Sequence, residues 1–239
     1  MTAAQKLQIT QQRIQAACQA ANRHPGEVQL LAVSKTFPVQ DVLALAAAGQ
    51  EAFGENYLQE AVDKITQAAE QSELGRHLQW HFIGPIQSNK TRPIAEHFDW
   101  VHSVDRLKIA QRLSDQRPAH LPALNVLVQV NTSGEASKSG VSPANALDLC
   151  KAVAQLPHLT LRGLMTIPSN TDNVAGLRDE MLLCKTLFDS LQQHSLTVDT
   201  LSMGMSADLE LAIACGSTCV RVGTALFGQR SKIPTPNQG

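Results

Sequence analysis

LNVLVQVN, residues 124–131, carries Val126, Leu127, Val128 and Val130 and is apolar on both faces. A strand with one wet face would alternate apolar and polar side chains. This run does not, so it reads as a strand covered on both sides. Shorter runs of the same kind recur at 28–34 and in EAFGEN, LQWHFIG, DWVHSV, LTLRGLMTI, TLSMG and CVRVGTALFG. Helical patterns separate them, at 41–48, 57–71, 88–97, 106–114 and 143–155. The next helix is amphipathic, with Val174, Leu177, Met181, Cys184, Phe188 and Leu191 spaced alternately by three and four. Gly49 is a stop signal, Asp105 is expected to cap the 106–114 helix, and Ser142 with Pro143 to open the one at 143. Ser206 is expected to open the helix after the seventh strand.

Eight strand-then-helix units thus follow one leading helix. Buried strands that alternate with helices imply a parallel sheet. Eight units in 239 residues fit a single closed (β/α)8 TIM-type barrel. On pattern alone, an open doubly wound sheet is the alternative. No stretch rich in Pro, Gly or Ser divides the chain, so 1–239 reads as one domain. A docking helix is expected at about 3–22, with Leu7, Ile14, Ala17, Cys18 and Ala21 on one face. The tail at 231–239 is expected to fray.

The net charge is −1, and the charges are interspersed, which argues against nucleic acid or an anionic membrane surface as partner. No window approaches the roughly 20 apolar residues of a membrane span. The five cysteines are odd in number and form no CxxC, so neither a disulfide framework nor a metal site is expected. A reducing, cytoplasmic setting fits that usage.

Active sites of (β/α)8 barrels lie at the C-terminal ends of the strands. The polar or unusual residues there are Lys35, Asn56, His102 with Ser103, Asn131, Met165 with Thr166, Met203 with Ser206, and Arg221 with Gly223 and Thr224. Each has a bland reading. A lysine can snorkel to water, His81 inside an apolar strand suits a hydrogen-bonded core position, and the methionines suit packing. Gly223 and Thr224 weigh more, because a glycine turn between strand and helix can hold a phosphate on its N–H groups. Barrel closure would set the first strand beside the eighth and bring Lys35 to that turn. A desolvated lysine can form a Schiff base. A carbonyl compound with a phosphate handle is pyridoxal 5'-phosphate (PLP), and Arg221 could reach its ring nitrogen.

LLAVSKTFP, FGENYLQE, WHFIGPIQSNK, VHSVD, VLVQVNTSGEASKSG, LRGLMTIP, LSMGMSADLELAIACGST and VRVGTALFG together resemble the YggS/PROSC family of PLP homeostasis proteins. The resemblance runs from about residue 5 to 230. It implies a barrel of PLP fold type III, like the N-terminal domain of alanine racemase. It also implies Lys35 as the Schiff-base lysine, Ser206, Gly223 and Thr224 at the phosphate, and Arg221 at the pyridine nitrogen. Asn56 would lie near the cofactor, Met165 and Met203 would line the pocket, and His81 would sit beneath or beside the ring. Lys138 matches a family lysine on a loop over the mouth.

Catalysis is not expected. Two-sided proton transfer needs a base on each face of the substrate carbanion. The single tyrosine, Tyr57, stands at a helix start, and the chain ends soon after the last strand. An arginine at the pyridine nitrogen would also blunt the electron sink. The expected function is PLP binding and homeostasis by a monomer, with PLP-dependent apoenzymes as candidate recipients. The alternatives are a PLP-dependent amino-acid racemase and a phosphosugar-type barrel enzyme.

Overall fold

The computed structural model describes residues 1–135 and 137–229; the tail expected to fray lies outside the described residues. A leading helix, α1 (Ala3–Ala20), precedes the strands β1 (Gln29–Val33), β2 (Ala52–Glu55), β3 (Gln79–Phe82), β4 (Trp100–Val104), β5 (Leu124–Gln129), β6 (Leu159–Met165), β7 (Thr200–Ser202) and β8 (Cys219–Val222). One helix follows each strand: α2 (Val39–Ala47), α3 (Leu58–Gln71), α4 (Thr91–His97), α5 (Leu107–Gln116), α6 (Pro143–Val153), α7 (Val174–Gln193), α8 (Leu209–Ala214) and α9 (Thr224–Phe227). The strands pair in chain order and close on themselves. At the seam β1 runs parallel to β8, with Leu30 opposite Val220 and Ala32 opposite Val222.

Closure follows from strands that must be dry on both faces. Outward side chains such as Val101, Val126 and Leu164 join Ile94, Ile109, Leu113 and Met181 from the helices in one large apolar shell. Each such side chain contributes about 1.5–3 kcal/mol on burial. Inward side chains form two smaller clusters, Leu31 with Ala52 and Cys219, and Trp100 with Leu127 and Met165. Leu7, Ile14, Ala17 and Cys18 seat α1, which packs on α2, α8 and α9. Its start is fixed by a capping box between Thr2 and Gln5.

The barrel floor is closed by Arg162. Its guanidinium forks onto Asp199 at 3.0 and 2.6 Å, donates to Asn125 at 2.9 Å, and lies over the Trp100 ring at 4.6 Å.

Two helix starts shift by one or two residues, α2 to Val39 and α3 to Leu58, and three others differ in capping or division. Arg106, not Asp105, is the N-cap of α5; Asp105 pairs with the Arg106 guanidinium instead. The 88–97 segment is split into a 3-10 turn, Ser88–Lys90, and α4. Ser206 does not open α8: Asp208 Oδ1 accepts from the Met205 N–H at 2.6 Å, closing a turn that delays the helix to Leu209. All five cysteines are free and buried, and burial pushes the Cys150 and Cys184 thiols up to about 12. Among the described residues no helix is long and apolar enough to cross a membrane, and no cluster of His, Cys, Asp or Glu could hold a metal.

Candidate functional site

A cavity of about 310 Å³ opens at the C-terminal ends of the strands. Lys35, Asn56, Met165, Ser206, Arg221, Gly223 and Thr224 all line it. These residues come from loops after β1, β2, β7 and β8, from β6 and β8 themselves and from the start of α9, and only barrel closure assembles them. Lys35 leaves β1 two residues past its end, half-buried. Across the seam, Gly223 lies between β8 and α9. A Cβ there would come within 3.3 Å of the Val33 carbonyl oxygen, so glycine keeps this corner of the cavity bare. Gly84 serves Asn56 in a similar way: a Cβ at 84 would overlap the Asn56 carbonyl, which the bare backbone lets pass.

Met203 is not part of this lining. It is fully buried in the outer apolar shell. Side chains alternate along a strand, and Ser202 takes the inward direction, so Met203 faces the helices. Met205, beyond Gly204, reaches the mouth instead. His81 also lies off the cavity, deeper in the barrel. Lys138 lines an adjoining chamber of about 180 Å³ that shares Asn56, Ile83 and Ile167 with the first. There its ammonium pairs with Glu135 at 2.8 Å.

Arg221 is the polar centre beneath the cavity. It is 4% exposed, and it donates to Ser202 Oγ at 2.7 Å and to the Thr166 carbonyl at 2.9 Å. The Ser202 hydroxyl, which accepts from Arg221, also lies 3.1 Å from His102 Nδ1. His102 Nε2 in turn lies 2.9 Å from His81 Nδ1, one of the two nitrogens donating to the other. His81 Nε2 has no hydrogen-bond partner among the described residues. The His81 ring stacks on Trp100 with centroids 5.2 Å apart. Burial lowers the His81 pKa to about 3. His102 is held well below its ordinary value by burial, then by His81 and Arg221. Both rings are neutral, and Arg221 is the permanent charge at the top of the chain.

The sequence reading missed Phe37, Met205 and Gly228 on the cavity wall. Phe37 stacks on Phe227 with centroids 4.9 Å apart, one ring from each side of the seam. The signal was present, since both rings closely follow strands that a closed barrel must pair. Ser202 had no comparable local signal, and His102, though named among the strand-end polar residues, had none for its link to Ser202 and His81.

Lysine, arginine, a serine hydroxyl and a glycine turn around an apolar wall form a donor set suited to an anionic, carbonyl-bearing ring. Residues 9–231 match the family model for the alanine racemase N-terminal domain. The chain is 52% identical to the pyridoxal phosphate homeostasis protein of Haemophilus influenzae, over 97% of this chain and 98% of that one. It is 59% identical to the protein of that name from Pseudomonas aeruginosa, over 96% of each. Among solved structures, PipY of Synechococcus elongatus with PLP bound is 36% identical, with a TM-score of 0.79 over 95% of this chain and all of PipY. Alanine racemase from Corynebacterium glutamicum shares the fold at 16% identity, with a TM-score of 0.65 over 94% of this chain and 62% of the racemase. Barrel, cavity and sequence agree: the chain belongs to the family of pyridoxal phosphate homeostasis proteins, on the barrel of the alanine racemase N-terminal domain.

Proposed function

We propose that this protein binds PLP in the mouth cavity, on Lys35, and serves PLP homeostasis without efficient turnover. One observation carries the reading: Lys35, Arg221 and the Gly223–Thr224 turn meet in one cavity. Its volume lies at the small end of ligand sites, about 300–1,000 Å³. When bound, PLP supplies an aldehyde that condenses with a deprotonated lysine amine. The chain's own residues do the rest. Ser206, Gly223 and Thr224 offer a hydroxyl and backbone donors to the phosphate. Arg221 presents donors toward the ring nitrogen and keeps it unprotonated. Met165 and Ile83 give the ring an apolar wall, and Asn56 stands at its edge.

The lining also supports binding over catalysis. Among its described residues, Lys35 and Arg221 are the only ionisable ones. Arg221 does not surrender a proton at neutral pH, so a second base for the opposite face of a carbanion is missing. Tyr57 is 48% exposed and does not line the cavity. The reading extends to a cytoplasmic monomer that supplies PLP-dependent apoenzymes, supported by five free cysteines and by the homeostasis role in the relatives' names.

The test is a visible spectrum of the protein mixed with PLP, followed by borohydride reduction and peptide mass mapping. A PLP-derived mass on Lys35, absent from Lys35→Ala, is expected. A protein that takes up no PLP would refute the assignment. Lys35-dependent racemisation of alanine would refute the non-catalytic part alone.

A further inference from the structure

Ser34 and Thr36 flank Lys35, and one cluster of charged side chains holds both. Lys64, on α3, donates to the Ser34 carbonyl at 2.9 Å, to Glu55 Oε1 at 2.6 Å and to Glu60 Oε1 at 2.9 Å. The Ser34 hydroxyl donates to the same Glu55 oxygen at 2.6 Å. Glu60 Oε1 also accepts the Thr36 N–H at 2.6 Å. None of the three charged residues lines the mouth cavity.

The cluster is costly for a device that only joins a helix to a barrel. Lys64 is 4% exposed and Glu55 is fully buried. Burial raises the Glu55 pKa despite the opposing pull of Lys64, and Glu55 Oε2 has no hydrogen-bond partner among the described residues. A buried ion pair often adds less stability than apolar packing of the same volume. Thr36 is strained as well. Its φ of 69° lies in the left-handed region, which a β-branched residue rarely enters. Such strain persists where the surroundings enforce it. The 34–37 turn is closed by its own backbone bond, Phe37 N–H to the Ser34 carbonyl at 3.1 Å; the charge-assisted bond from the Thr36 N–H to Glu60 reinforces it at the strained residue, while Lys64 grips the residue before Lys35 and keeps two carboxylates together.

We propose that Glu55, Glu60 and Lys64 are positioning residues for Lys35: they hold the 34–36 turn in the left-handed bend that directs the lysine into the cavity. The proposal rests on the reading of Lys35 as the PLP anchor.

Two readouts on the full chain test it. Competitive acetylation of the apo protein across pH, with mass mapping, compares the Lys35 amine with exposed Lys108. Timed borohydride reduction with PLP measures label on Lys35. Glu60→Ala is expected to lower both by about tenfold, the size of an ordinary backbone strain. Cooperative unfolding should persist, because the Glu60 side chain is 35% exposed. Adding Thr36→Gly, which enters the left-handed bend without strain, should recover roughly half of the loss on a logarithmic scale. Wild-type acetylation and reduction in Glu60→Ala would overturn the proposal, and so would a loss that Thr36→Gly leaves untouched. A wild-type chain that takes no PLP label at Lys35 would overturn the anchor reading instead, and the acetylation profile would still decide whether the cluster sets the turn.

Discussion

The forked ion pair at the barrel floor and the charges beside Lys35 and the cavity are treated in opposite ways. At the floor, Arg162 and Asp199 form a forked pair with side chains 30% and 58% exposed. At the mouth, Lys64 and Glu55 are 4% and 0% exposed, and Arg221 donates to neutral oxygens while 4% exposed. The floor pair closes a gap between strands at little cost in desolvation. The mouth charges carry a large desolvation cost, and what they have in common is position. One set holds the turn of Lys35, and the other lies under the cavity. The contrast is between these sets and not between whole ends, because Arg117, 7% exposed, is also buried on the floor side, where it donates to the Ala95, Phe98 and Pro122 carbonyls.

The sharpest way to break this contrast is Lys64→Met, which leaves Glu55 buried without its cation. It should cost about 3–5 kcal/mol in urea denaturation, most of it regained with Glu55→Gln added. A cost no larger than that of a floor substitution would mean that the mouth cluster is not under the tension described.

Gly223→Asp tests whether the mouth is built for an anion. A carboxylate about 4 Å from a phosphate, at an effective dielectric of about 20, opposes binding by up to about 4 kcal/mol per charge pair. PLP affinity should fall by about a hundredfold or more in a fluorescence titration. Unchanged affinity would move the phosphate site elsewhere.

The histidine chain sharpens the contrast through pH. Above pH 6.5 folded and unfolded chains both hold His81 and His102 neutral. As pH falls below that value, the unfolded chain takes up protons that the folded chain refuses until about pH 3 at His81. Stability is therefore complete above 6.5 and is lost as pH falls, by up to about 1.4 kcal/mol per pH unit for each histidine. His81→Phe, which keeps a ring against Trp100, removes one of these groups. Its urea midpoint should decline less steeply than that of the wild type between about pH 6 and 5. Parallel declines would show that His81 is protonated in the fold.

The smallest effect belongs to the floor. Asp199→Asn should cost about 0–1 kcal/mol, and less in high salt. A larger loss would place the Arg162–Asp199 pair among the buried charges and remove the contrast.

Much of this was legible in the chain. The barrel followed from runs such as 124–131, because dryness on both faces is written into residue type. Lys35, Arg221, Gly223 and Thr224 were legible as strand-end residues, since closure has only one way to bring β1 and β8 together. Met203 misled because the parity of β7 was set by its neighbour: Ser202 faces Arg221, so Met203 cannot. Ser206 misled because the Asp208 carboxylate competes for the local backbone N–H groups and shifts the helix start. The histidine chain was not legible, because its partners stand 21 and 100 residues apart.

By itself the sequence determined the class of fold and the family, and it marked Lys35 among the strand-end residues that meet in the mouth cavity. Each of these depends on local pattern, namely which side chains shun water and which residues interrupt that pattern at strand ends. Only the tertiary structure decided how those residues are held. The Phe37–Phe227 stack across the seam, the hydrogen-bonded chain from Arg221 to His81 and the grip of Glu60 on Thr36 all join different secondary-structure elements. Hydrogen bonds and ring contacts require distances of a few ångströms, and nothing in the local chain encodes which distant side chain will supply the other half.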